Sequence, residues 1–158
     1  MINSYQMAFD GEVLERGFWL YVWKIQSEDR EVFYVGRTGD SSSPHASSPF
    51  NRIGQHLDFR KNAKGNSLAK RLREAGMNPM TSKFSMLAMG PIFPEQPDFE
   101  AHKPYRDQMA TFELEVADYL KSEDHDVLGI HHAGQPVSTE KLTDLLDQVQ
   151  RFCGDVDG

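Results

Sequence analysis

The chain has few of the features that would mark a secreted, membrane-spanning or disulfide-built protein. Its 158 residues include one cysteine, Cys153. No internal disulfide can form, and a reducing, cytoplasmic compartment is expected. No apolar run approaches the roughly 20 residues that a membrane helix needs; the run over residues 84–93 is short and broken by Gly90 and Pro91. Residues 1–14 carry Asp10 and Glu12 and lack a basic start, so no secretory signal is expected. Internal repeats and low-complexity tracts are absent as well. Positive charge is also scarce: the net charge of −7 argues against a protein that coats nucleic acid indiscriminately.

What is present describes one globular domain. Apolar residues make up 39% and charged residues 26%, enough for a single domain with a full core. The charge is unevenly spread. Residues 41–80 hold seven bases (Arg52, Arg60, Lys61, Lys64, Lys70, Arg71, Arg73) against two acids (Asp58, Glu74), a local net of +5 that leaves −12 for the rest. A basic face on an acidic body can hold a phosphate backbone in a salt-dependent way; the bland counterpart is a solvated helix pair with surface lysines.

Residues 1–16 read as a lead-in. Residues 18–25 (FWLYVWKI) are aromatic and β-branched with apolar residues at both parities, the pattern of a strand covered on both faces. A polar turn and a second strand over 31–37 make an antiparallel hairpin. The stretch 38–49 is a Gly/Ser/Pro loop. Ser48-Pro49 then supplies a helix start, with a helix expected over 49–61 and another over 67–75. A third strand is expected over 83–89, followed by a proline-marked loop to about residue 103, a helix over 105–121, an irregular stretch over 122–137, and an amphipathic helix over 138–152. The fold class is thus α/β of the α+β type: a three-stranded antiparallel sheet flanked by helices, with an extra C-terminal helix.

Five residues carry candidate chemistry. Tyr21 and Tyr34 share a face if the hairpin loop has an even number of residues: a two-residue loop sets them opposite each other, and a four-residue loop sets Tyr21 opposite Gly36. Paired phenols can position a water and touch phosphate, although a phenol titrating near about 10 needs help to act as a base. Arg52 and His56 are four apart and share a helix face; a guanidinium fork and an imidazole suit phosphate oxygens. Glu113 lies beside an apolar helical stripe, where a carboxylate calls for a partner and could hold Mg²⁺. Glu115, two positions on, points about 200° away round the helix and cannot serve the same site. Taken singly, each has a structural explanation: strand aromatics, a surface arginine beside a half-buried histidine, a helix-surface acid.

Read in order, Leu20-Tyr21-Val22, Tyr34-Val35-Gly36-Arg37, Arg52-x-x-x-His56 and a late helical glutamate resemble the GIY-YIG nuclease family, over roughly residues 17–121. The resemblance implies a nuclease domain spanning 17–121 and an extension, 122–158, packed on it. It implies an endonuclease that hydrolyses nucleic-acid phosphodiesters, with double-stranded DNA as the expected substrate and Mg²⁺ or Mn²⁺ as cofactor. It assigns Tyr21 and Tyr34 to the attacking water, Arg52 and His56 to the scissile phosphate, Glu113 to the metal, and Gly36 to a position where a side chain would crowd the site. Arg37, Arg60, Lys61, Lys64, Lys70 and Arg71 are the accompanying nucleic-acid contacts. The chain departs from the family in reading Leu-Tyr-Val for Gly-Ile-Tyr. It also lacks an asparagine in 122–137, where Gly129, His131 and His132 stand instead.

Three other readings compete. A nucleic-acid-binding module on the same fold would use the basic segment without cutting. The apolar stripe of the C-terminal helix would alternatively serve as a homodimer seam, which would suit double-strand cutting. The histidines at 45, 56, 131 and 132 follow no common zinc spacing, and Cys153 has no partner that would make it a nucleophile.

Overall fold

The computed structural model describes residues 1–41 and 43–154. Three layers form around one sheet. Strands β1 (Phe18–Gln26) and β2 (Glu31–Arg37) make the expected hairpin, and β3 (Lys83–Phe93) pairs antiparallel with β1 on its other side. A short β4 (Val127–Leu128) adds parallel to β2, so the sheet is four-stranded and mixed, in the order β3-β1-β2-β4. This corrects the purely antiparallel three-stranded expectation. Two residues of strand inside a polar stretch carry no periodicity that a sequence could show.

Helices α1 (Pro49–His56) and α2 (Ser67–Glu74) cover one face of the sheet, and α3 (Phe99–Ser122) and α4 (Thr139–Gly154) cover the other. The two-sided apolar pattern of β1 has this cause. Leu20 and Val22 pack toward Phe112 and Val116 of α3, while Tyr21, Trp23 and Ile25 pack toward Leu68 and Leu72 of α2. The hydrophobic stripe of α4 is used within the chain: Leu145 and Val149 are buried in the α3 side of the core.

Two helix boundaries differ from expectation. Helix α1 stops at His56, five residues before the expected end, because Asp58 turns back to accept from the Arg60 backbone N–H at 3.0 Å and competes with the helical ladder. Helix α3 starts at Phe99 instead of 105, with Asp98 accepting from the Ala101 N–H at 2.9 Å as its N-cap. The loop expected to run to about residue 103 therefore ends at Asp98, and Pro104 lies inside this helix near its start. Among the described residues no helix is long and apolar enough to cross a membrane.

Candidate active site

The hairpin register decides where the phenols lie. Gln26 pairs with Glu31, so the loop has four residues, and Tyr21 stands opposite Gly36 while Tyr34 stands opposite Trp23. Both hydroxyls therefore sit on the α1–α2 face. Gly36 is required by contact: a Cβ there would lie 2.8 Å from the Cζ and Oη atoms of Tyr21.

Helix α1 brings Arg52 and His56 over the two phenols. The Tyr21 hydroxyl and His56 Nε2 share a short hydrogen bond, and the same hydroxyl lies 3.2 Å from the Arg37 carbonyl oxygen. The His56 ring stands edge-on to both tyrosine rings, at 5.5 Å from Tyr21 and 5.7 Å from Tyr34. The Arg52 guanidinium, 13% exposed, lies beside Tyr21; it donates to Gln55 Oε1 at 2.6 Å and to Asp40 at 3.3 Å. Ser48 starts α1 by accepting from the Asn51 N–H at 3.2 Å, with Pro49 in the first helical turn, and so fixes the direction in which both side chains point.

Glu113 arrives from the other layer, on α3. Its Oε2 accepts from Arg37 Nε at 3.1 Å, and the Arg37 guanidinium also donates to the Arg106 carbonyl at 2.9 Å. Strand β4 ends opposite Tyr34, which leaves the edge of β2 open beyond it. There His131 Nε2 donates to the Val35 carbonyl at 3.1 Å and sits 3.9 Å from Glu113 Oε1. Glu115 is exposed, as its direction round the helix requires.

Electrostatics tie these groups into one cluster. Burial pushes the Tyr21 phenol far up, against the pull of the Arg52 cation. Burial raises Tyr34 to about 12, with the Glu113 carboxylate adding to the rise. Burial lowers His56 to about 4, helped by Arg52, so its imidazole is neutral at pH 7. Burial lifts Glu113 to about 7 although Arg37 opposes it. Burial works against the charge of Arg52 too, but Tyr21 and Asp40 overcome it and hold the guanidinium protonated. Tyr21, Tyr34, Arg52, His56 and Glu113 thus meet at one end of the sheet, each within electrostatic reach of another.

The surrounding cations divide. Arg37, expected among the nucleic-acid contacts, is only 16% exposed and is engaged by Glu113. Arg60 pairs with Asp58 and Arg71 with Glu74. Lys61, Lys64 and Lys70 are exposed and form no ion pair among the described residues. Asp40 and Ser67, neighbours of Arg52 and Tyr34, had no signal in the sequence, because their roles depend on how the loop 38–48 and the start of α2 fold back. His131 stood out in the sequence as one of the residues in place of the family's late asparagine and among the histidines weighed for zinc, with no sign that it would approach Glu113.

Among the described residues no group of three or more His, Cys, Asp or Glu could enclose a metal ion. Cys153 is half-buried on α4 against the core, and burial pushes its thiol up, which suits packing and not nucleophilic attack. No family model matches the chain, and neither curated proteins nor solved structures give a significant match.

Proposed function

We propose that the chain is an endonuclease of the GIY-YIG type that hydrolyses phosphodiester bonds, with double-stranded DNA as substrate. The observation that carries this reading is the meeting of a permanently charged guanidinium, a neutral imidazole, two phenols and a carboxylate from four separate elements. A buried cluster of this kind, with several protonation equilibria displaced together, is what a reactive site requires and a packed core does not.

The roles follow from exposure and charge. Tyr21 is wholly buried, so its hydroxyl holds His56 in place. Tyr34 is the more open phenol, at 9% exposure, and is suited to orient a water. Arg52 supplies fixed positive charge to phosphate oxygens, and the exposed Lys61, Lys64 and Lys70 continue that charge along the strand backbone. Neutral His56 can donate to phosphate without adding charge.

Glu113 fits a hard divalent cation of the Mg²⁺ or Mn²⁺ kind. Its Oε2 is taken by Arg37, while its Oε1 accepts no hydrogen bond among the described residues and lies 3.9 Å from His131 Nε2. Magnesium sites commonly use one or two carboxylates and take the remaining oxygens from water and phosphate. When bound, such an ion would stabilise negative charge growing on the phosphate.

The test is cleavage of supercoiled plasmid in Mg²⁺ by the unchanged protein beside Arg52→Ala and Glu113→Ala. Each substitution should lower the rate by about 10²–10³-fold. Cleavage that persists in both would refute this site. One observation favours a second reading, a binding module that does not cut: Glu113 is already engaged by Arg37. Salt-dependent binding of duplex DNA with no cleavage in Mg²⁺ or Mn²⁺ would decide for it.

A further inference from the structure

Strand β3 is one edge of the sheet, paired with β1 on one side and, among the described residues, with no strand on the other. Natural edges of this length are normally protected by charged side chains, by a bulge or by a covering element. Lys83 at one end and, at the other, Pro91 and the register shift opposite Phe18–Leu20 guard the ends of β3, but from Phe84 to Met89 it carries no charged residue, no proline and no bulge. The N-terminal arm runs beside it. Residues 1–9 make no backbone hydrogen bond among the described residues, and the arm leaves a groove of about 670 Å³ against β3 and α1. Its segment Tyr5-Gln6-Met7-Ala8-Phe9 alternates large apolar with small or polar residues, the pattern of a strand with one buried face. Yet Tyr5 is 88%, Met7 92% and Phe9 57% exposed, and Phe50, against which Phe9 packs at 4.8 Å, is 45% exposed. Within the same groove, the Trp23 indole N–H is buried and has no acceptor.

We propose that this face is a homodimer seam, in which the extended arm of each copy lies against the β3 edge of the other. Charge argues for a second copy as the occupant. Two chains of net charge −7 repel, but residues 1–9 and 84–93 carry no charged side chain, so copies can meet there without opposing like charges. Area argues the same way. Aromatic side chains bury about 150–250 Å² each. Tyr5, Phe9 and Phe50 with Ile2 and Met7 therefore approach the roughly 800 Å² that each partner gives to a stable interface. An extended partner segment would also bring backbone carbonyls to the open edge amides of β3. The α4 stripe, the other candidate seam, has Leu145 and Val149 buried inside the chain. The inference is independent of whether the protein cuts nucleic acid.

Sedimentation of the full chain from about 1 to 100 μM tests it, since a dimer is driven by concentration. The unchanged protein should move from the 18.0 kDa chain mass to twice that value. Met7→Asp should remain monomeric throughout. Because Met7 is 92% exposed, this change leaves the fold of one copy intact; Met80→Asp, at an 89% exposed methionine on the turn before β3, is the control and should dimerise normally. Amide exchange in β3 should slow with concentration in the unchanged protein and not in Met7→Asp. A monomer at 100 μM would overturn the proposal. So would a dimer that Met7→Asp leaves intact, or one that Met80→Asp disrupts equally.

Discussion

Replacing Glu113 by glutamine should make the protein more stable at pH 8 and leave its stability at pH 4.5 nearly unchanged. Burial lifts the Glu113 carboxyl to about 7 in the folded chain, against 4.5 for a free glutamate, even with the Arg37 guanidinium 3.1 Å away. At about 1.4 kcal/mol per pH unit, ionising this group costs the folded state on the order of 3 kcal/mol. The sign follows from proton counting. Between pH 4.5 and 7 the folded chain keeps a proton that the unfolded chain has lost, so stability falls as pH rises. Above 7 both states are ionised and the whole cost is present. Below 4.5 both are protonated and it vanishes. Glutamine copies the neutral acid in shape and still offers an oxygen to Arg37, whose second bond to the Arg106 carbonyl is untouched. The gain should be about 1–3 kcal/mol at pH 8, reduced to the extent that the amide serves Arg37 less well than a carboxylate does. Urea unfolding of both proteins at the two pH values measures it. The His56 contribution is common to both proteins and cancels in the difference. A variant less stable than the parent at pH 8, or a gain equal at the two pH values, would refute the burial argument.

Four further outcomes are expected. Millimolar Mg²⁺ or Mn²⁺ at pH 8 should raise the melting temperature of the unchanged protein and not that of Glu113→Gln, because a ligand stabilises only the state that binds it; equal shifts in calorimetry would remove Glu113 from the metal site. Tyr21→Phe strips the hydroxyl from His56 and the Arg37 carbonyl and should cost about 1–3 kcal/mol by urea unfolding; no measurable loss would mean that water replaces it freely. Gly36→Ala sets a methyl against the buried Tyr21 ring, 2.8 Å from its Cζ and closer still to Cε2, and should cost roughly 1–3 kcal/mol while altering the near-ultraviolet circular dichroism of the tyrosines; an unchanged spectrum with full stability would contradict the close approach. His56, lowered to about 4 by burial, makes the folded state lose stability as pH falls from 6.5 towards 4, because only the unfolded chain takes up the proton there. In His56→Gln that loss should disappear from the pH–stability curve.

The sequence foretold most of the elements and little of their joining. The strands of the hairpin were legible because burial on both faces leaves a continuous aromatic and β-branched run, and the amphipathic α4 because one-sided burial leaves a periodic stripe. The even loop length placed Tyr21 and Tyr34 on one face, and of the two registers considered, the four-residue loop with Tyr21 opposite Gly36 is the one present. Local competition hid the rest. Asp58 ends α1 through a side-chain bond that helix propensity does not register, and the prolines before residue 98 extended the expected loop over the first turns of α3, which Asp98 caps. For the site, the five nominated residues could be picked by type and order. That Arg37 would turn inward to Glu113 while Asp40 turned to Arg52 could not be, since each pairing depends on how the ends of β2 and the loop after it are packed.

The balance of energies at the sheet end separates a reactive cluster from a merely structural one. A buried polar network kept for stability should have its members in the protonation states that burial favours, with every donor and acceptor matched. Here the neutral His56 meets the first condition, but its Nδ1 has no partner, nor do Arg52 Nε and His131 Nδ1. Above pH 7, Glu113 also bears a charge whose net cost is about 3 kcal/mol even with the Arg37 hydrogen bond in place. Glutamine at 113, which keeps an acceptor for Arg37, would be the stabilising choice above pH 7. A fold that retains an ionisable carboxylate there, beside nitrogens without a protein partner, gives up stability that an anion or a cation entering from solvent would restore. Ligand binding at this end should therefore stabilise the protein by more than its exposed lysines alone could explain. The metal-dependent melting shift of the parent against Glu113→Gln measures that difference.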